Sequence, residues 1–197
     1  MDPTLRGLLD SLYEDGAAYD AAEPDRRRRR RNLEPEAASF LWLLLRALRA
    51  QAVVEVGTSN GYSTIWLADA MRITGGRLVS LDVDAAVQRE ASGNLARAGL
   101  EAHVELLTVD GGRFLADAPS GSVDVLFLDS ERPEYAAWWP HPRRVLRPEG
   151  LLVIDNVLSH PDEVSETRGL IEADRWLAST IVPVGKGQLL AVKNGQG

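Results

Sequence analysis

The sequence predicts a doubly wound α/β domain: an open, mostly parallel sheet of about seven strands with helices on both faces. Three observations predict it. From residue 52 onward, short β-rich runs alternate with helical stretches. The runs are continuously apolar rather than alternating, as strands covered on both faces must be. The last two runs, 180–184 and 188–192, flank Gly185-Lys186-Gly187, a hairpin that adds an antiparallel strand. A chain of 197 residues, 45% of them hydrophobic, suits one such domain with a sizeable core.

In order, Asp2-Pro3 caps a short amphipathic helix carrying Leu5, Leu8, Leu9 and Leu12 at helical spacing. Residues 14–32 are charged, with five acids followed by six consecutive arginines, 26–31. This run reads as a solvated, self-compensated segment, one or two of whose arginines border a site entrance. A nucleic-acid patch is disfavoured because 29 acidic residues outnumber 22 basic ones, for a net charge of −7. Arginine is simply the usual cation here, since Lys186 and Lys193 are the only lysines. Glu34-Pro35-Glu36 opens a second helix to about Arg49, apolar around most of its circumference and expected to be buried. Its apolar run 40–45 stops at Arg46, far short of the roughly 20 residues of a membrane span. No signal peptide is legible, so the expectation is a cytoplasmic protein with no membrane partner. Cysteine is absent, which excludes disulfides, thiolate metal sites and a cysteine nucleophile.

Strands are then expected at 52–56, 77–82, 103–109, 123–129 and 151–155, with helices at 62–71, 84–98, 112–118, 134–146 and 161–177. The division that follows is an N-terminal helix and charged segment, 1–32, and a catalytic domain, 33–197.

In such sheets ligands bind outside the carboxyl ends of the strands. The first strand runs into Glu55-Val56-Gly57-Thr58-Ser59-Asn60-Gly61-Tyr62-Ser63. Two glycines four apart, between a buried strand and a helix, let backbone approach a ligand, and the helix start offers free N–H groups to a carboxylate or phosphate. Glu55, just before the turn, is placed to accept from an ammonium. Asp82 ends the second strand, where an acid can hold two ribose hydroxyls, with Asp84 better placed as a helix cap. The loop Asp110-Gly111-Gly112 has room for a flat ring. Asp129 and Asp155 end adjacent apolar strands, and burying both is costly unless a cation meets them. With Asn156 they form a hard-oxygen set suited to Mg²⁺, Ca²⁺ or Mn²⁺; the alternative is that they cap helices. A rival pattern is present too: Gly57-Thr58-Ser59-Asn60-Gly61 fits G-x-S-x-G, and Ser59, Asp129 and His160 follow the order of a hydrolase triad. It comes after the first strand, too early for a nucleophile elbow, and leaves Glu55, Asp82 and Asn156 without roles.

Segments 53–63, 78–84, 123–135 and 146–158 resemble the S-adenosylmethionine-dependent O-methyltransferases of the caffeoyl-CoA and catechol type, which have a Rossmann-like methyltransferase fold. Asp155-Asn156-Val157-Leu158 after Arg147-Pro148-Glu149-Gly150 is the most specific part. The resemblance implies that Glu55, Gly57, Ser59, Gly61 and Ser63 hold the methionine end of the cofactor, Asp82 its ribose, and Asp110 and Gly111 its adenine. It implies a divalent ion on Asp129, Asp155 and Asn156, Asp129 also bordering the cofactor, a small phenolic or catechol-like acceptor, and a homodimer. One departure matters. The family commonly carries a lysine base three residues after the first metal aspartate, and here that position is Arg132. A guanidinium cannot accept the phenolic proton but can stabilise a phenolate. His160 is the spare candidate base. A metal-independent methyltransferase and a non-catalytic cofactor-binding relative remain open alternatives.

Overall fold

The computed structural model describes residues 1–195. Seven helices, α1 (Pro3–Ala22), α2 (Pro35–Ala47), α3 (Tyr62–Thr74), α4 (Ala85–Ala98), α5 (Gly111–Asp117), α6 (His141–Val145) and α7 (Pro161–Ala173), pack on one sheet. Its strands are β1 (Ala52–Val56), β2 (Arg77–Asp82), β3 (Val104–Thr108), β4 (Val123–Leu128), β5 (Leu146–Ile154), β6 (Leu177–Val182) and β7 (Gln188–Lys193). The strand order is β3-β2-β1-β4-β5-β7-β6. Strands β1 to β5 pair in parallel, and β7 lies antiparallel between β5 and β6. This is the predicted doubly wound sheet with its antiparallel hairpin.

Alternation along each strand assigns the two cores. Val53, Leu78, Val125, Phe127 and Val153 face α1 to α4, whereas Val54, Val56, Leu126, Leu128 and Ile154 face α5 to α7. Glu55 therefore points into the α1–α4 layer although it is charged. Trp42 of α2 donates its indole N–H to Asp69 of α3 at 2.9 Å, and Arg72 binds the other oxygen of that fully buried carboxylate. Removing the carboxylate strands the indole N–H, while the half-exposed Arg72 guanidinium turns to water. Asp69→Ala is expected to lower the unfolding free energy by about 2 kcal/mol in urea denaturation.

Several expected boundaries change. The first helix runs to Ala22, far past the short helix expected, and Leu5, Leu9 and Leu12 join the same core as α2 and α3. Asp2 caps it as predicted, accepting from Thr4 and Leu5 N–H. The expected helix 134–146 is broken: residues Arg132–Trp138 form a 3-10 turn, α6 begins only at His141, and Leu146 already opens β5. Pro140 and Pro142 interrupt the helical hydrogen bonds there. Helix α7 stops at Ala173, so β6 starts at Leu177 rather than 180. On α2, Leu43 is 55% exposed, so the helix is less buried than its composition predicts. No helix of the described residues is long and apolar enough to cross a membrane.

Candidate functional site

The order of the sheet reverses between β1 and β4, and a cavity of about 920 Å³ opens at their carboxyl ends. Of the residues singled out above, Gly57, Ser59, Ser63, Asp82 and Asp129 line it, as do Arg132, Asp155, Asn156 and His160. Glu55, Gly61, Asp110 and Gly111 do not.

The glycine turn is tied to its neighbours by backbone. Gly57 and Thr58 N–H both donate to the Leu81 carbonyl, and Asp129 N–H donates to that of Val56. Gly57 has φ +108°, and a Cβ there would overlap the Asp129 carbonyl. Gly61 caps α3 in the left-handed region with φ +85°. The start of α3, with Tyr62 and Ser63, lines the cavity, where Tyr62 N–H donates to Asn60 Oδ1 at 3.2 Å; a helix start is a natural seat for a carboxylate. Asp82 accepts from Ser59 and Asp84 N–H and keeps free lone pairs for a hydroxyl ligand. Asp84 caps α4, as expected. Asp110 accepts from Arg113 N–H as the cap of α5, and the flat ring packed on Gly111 and Gly112 is the protein's own Trp138.

Glu55 is fully buried beneath this turn. Its carboxylate accepts from Ser63, Thr64 and Ser80 hydroxyls, each at 2.6 Å. These hydroxyls are the protein groups that meet Glu55.

On the far side of the cavity, Asp129 and Asp155 converge on the Asn156 amide, whose nitrogen lies within hydrogen-bonding distance of both. Asp155 is 1% exposed and also accepts from Gln188 of β7. Burial pushes the pKa of both carboxylates up, and Asp129 pushes that of Asp155 further. Two buried carboxylates that resist sharing one site attract a cation, and their hard oxygens fit a divalent one. Among the described residues no three His, Asp or Glu side chains gather into a metal cage, and it is the Asn156 amide nitrogen that faces the two carboxylates. Asn156 adopts φ +66°.

Arg132 is 4% exposed and gives Nε and a terminal nitrogen to Glu163 at 2.9 and 2.7 Å. Its charge also holds the Asp129 pKa down against burial. His160 pairs with Ser159 at Nδ1 and with Arg26 at Nε2, and burial followed by the Arg132 charge lowers its pKa. Ser59 donates to the Arg30 carbonyl at 2.8 Å. The hydrolase relay therefore does not assemble.

One feature goes further than the sequence reading and another escaped it. Where one or two arginines were expected at a site entrance, Arg26, Arg28, Arg29, Arg30 and Arg31 all line the cavity, and Asp20 receives the Arg30 and Arg31 N–H groups at 2.6 and 2.8 Å. Arg30 pairs with Glu90, Arg31 with Glu131, and Arg26 with Glu163. Lys186, in the β6–β7 turn, also lines the cavity and pairs with Glu34. Burial works against its charge, but the Glu34 hydrogen bond and the charges of Glu34 and Asp155 together outweigh it and raise the Lys186 pKa. The Lys186 carbonyl accepts from Leu158 and Ser159 N–H, fastening this turn to the loop after β5. Only the two flanking glycines hinted at it.

Residues 25–193 match the profile of a family described as O-methyltransferase. A catechol O-methyltransferase of Niastella koreensis is 35% identical over 130 residues, 64% of this chain and 58% of that protein. A catechol O-methyltransferase of Mycobacterium tuberculosis is 34% identical over 158 residues, 80% of this chain and 70% of the other. In three dimensions the chain superposes on an O-methyltransferase from Bacillus cereus in complex with SAH. The TM-score is 0.79 at 25% identity, over 95% of this chain and 91% of that one. Sequence match, relatives and fold agree, and the chain belongs to the O-methyltransferase family.

Proposed function

We propose that this protein transfers the methyl group of S-adenosylmethionine to a hydroxyl of a small phenolic, catechol-like acceptor, assisted by a divalent cation. The observation that carries the reading is the pair of buried carboxylates, Asp129 and Asp155, set with Asn156 in the wall of the cavity that the glycine turn also lines. SAH bound to the Bacillus cereus neighbour and the catechol O-methyltransferase names of two relatives support the cofactor and the acceptor class.

The residues divide the work by chemistry. The α3 first turn and Ser63 would hold the amino-acid end of the cofactor, and Asp82 its ribose. Asp129, Asp155 and Asn156 would hold the cation, which lowers the pKa of a coordinated hydroxyl and orients it. Arg132, locked by Glu163, stays charged and favours the acceptor as an oxyanion. The methyl moves in line to the acceptor oxygen as the carbon–sulfur bond breaks, so the protein's main contribution is positioning. A metal-independent reading draws on a different observation: the charges of Arg132, Arg31 and Lys186 already offset part of the rise that burial gives the Asp129 pKa.

Calorimetric titration of chelator-treated protein with S-adenosylmethionine, then Mg²⁺, then catechol separates the two. Micromolar cofactor binding with catechol binding that appears only after Mg²⁺ is the expected result. Catechol binding unchanged by Mg²⁺ would favour the metal-independent reading, and absence of cofactor binding would sink both.

A further inference from the structure

We infer that Glu55 acts on the cofactor without touching it: it sets the direction of the Ser63 hydroxyl and so decides whether the site can accept a hydrogen bond from the cofactor's ammonium group. The inference rests on the cofactor reading above and adds a positioning residue to it.

The geometry is specific. Each of the three hydroxyls around Glu55 spends its proton on the carboxylate. Of these donors, Ser63 alone lines the cavity. With its proton committed to Glu55, Ser63 can present only oxygen lone pairs to a ligand, and a lone pair is what an ammonium requires. The neighbouring N–H groups of the α3 first turn suit a carboxylate. Hydroxyl oxygen and helix start together match a zwitterionic amino-acid group, the end that distinguishes SAH from a simple nucleoside.

Protonating Glu55 reverses the pattern. A neutral carboxyl donates toward one of its hydroxyl partners. Once that partner is Ser63, the Ser63 proton must turn to the cavity, where it meets the ammonium hydrogens head on. The groups facing Glu55 are Ser63 and Thr64 of α3 and Ser80 of β2, with Thr58 and Gln88 bonded behind Ser80. The charge that bears on it is Asp129 at the tip of β4. Burial raises the Glu55 pKa to about 7 against the pull of the three hydroxyls, with Asp129 adding a smaller push upward. The reversal therefore falls within an accessible pH range.

The test compares SAH with 5′-methylthioadenosine, which lacks the amino-acid group. Affinities of the full chain for both are measured by calorimetry from pH 5.5 to 8.5 with chelator present. SAH binding is expected to weaken on the order of tenfold toward pH 5.5, the size of losing a hydrogen bond to a charged group. 5′-Methylthioadenosine binding should stay flat. In Glu55→Gln the SAH response should vanish, and retained 5′-methylthioadenosine binding shows that the pocket is folded. In Ser63→Ala, which removes the hydroxyl through which Glu55 would act, the SAH response should vanish as well. Should Glu55→Gln not fold, the two-ligand contrast in the wild type carries the test. The inference is overturned if the response persists in Glu55→Gln or in Ser63→Ala, is shared by 5′-methylthioadenosine, or has the opposite sign. A wild type that binds no SAH at any pH overturns the cofactor reading itself.

Discussion

Asp155→Asn is expected to lower Mg²⁺-stimulated methyl transfer to catechol at least a hundredfold while leaving SAH affinity within a few fold. The substitution keeps the size of the side chain and a partner for Gln188, but removes one of the two anionic oxygens facing the cavity. A hard divalent ion held by two carboxylates and an amide loses much of its attraction when one carboxylate becomes neutral. Stability should move the other way. Burial and Asp129 raise the Asp155 pKa in the fold. A carboxylate raised in this way stabilises the fold when protonated, and that contribution disappears as pH climbs above the ordinary carboxylate range. At pH 8 without metal the neutral variant should therefore melt several degrees higher than the wild type. Calorimetric melting and an activity assay on one preparation check both. A variant as active as the wild type, with chelator or without, would sink the metal-assisted reading.

The second large effect is structural. Gly57→Ala is expected to destabilise the protein by roughly 3 kcal/mol or more, because φ +108° is hostile to any side chain and the new methyl would overlap the Asp129 carbonyl. That carbonyl is held on both sides, since the Asp129 N–H donates to the Val56 carbonyl of β1 and the Ser130 N–H of its own peptide donates to the Tyr135 hydroxyl. Relief must come from separating the tips of β1 and β4, which spoils the cavity, so SAH affinity should fall together with the urea midpoint. Gly61→Ala is the internal comparison. Its φ is also positive, but its Cβ would meet Ala91 atoms at 3.1 Å, a contact that a small shift of α4 can relieve. A Gly57→Ala protein with wild-type stability would show that the turn is not under this constraint.

How much of this could be read in advance depends on the range of the interaction. The glycine turn, the acids at strand ends and the terminal hairpin are local patterns, and each lies where its pattern predicts. Local signals also existed for the broken helix around Pro140 and Pro142, but the apolar residues of that stretch outweighed them. The misplaced charges are a different matter. Arg30 with Glu90, Arg31 with Glu131, and Glu34 with Lys186 are separated by 60 to about 150 residues. A chain this rich in both signs offers many equivalent pairings, and only the fold chooses among them. Glu55 illustrates a third limit. Its position before the turn was legible, but alternation along β1 turns it inward, onto hydroxyls 8, 9 and 25 residues away.

The insertion of β7 between β5 and β6 also bears on how the protein comes into being. Strands β1 to β4 and the turn from Gly57 to Gly61 are all present once residue 129 has been made, so a cofactor pocket can take shape early on the ribosome. The other wall cannot. Asp155 waits for Gln188, and the loop after β5 waits for the carbonyls of Lys186 and Gly187. Contacts between segments so far apart in the chain form late, because the intervening loop must be closed first. The wall that carries Asp155 is therefore completed only when β7 joins the sheet.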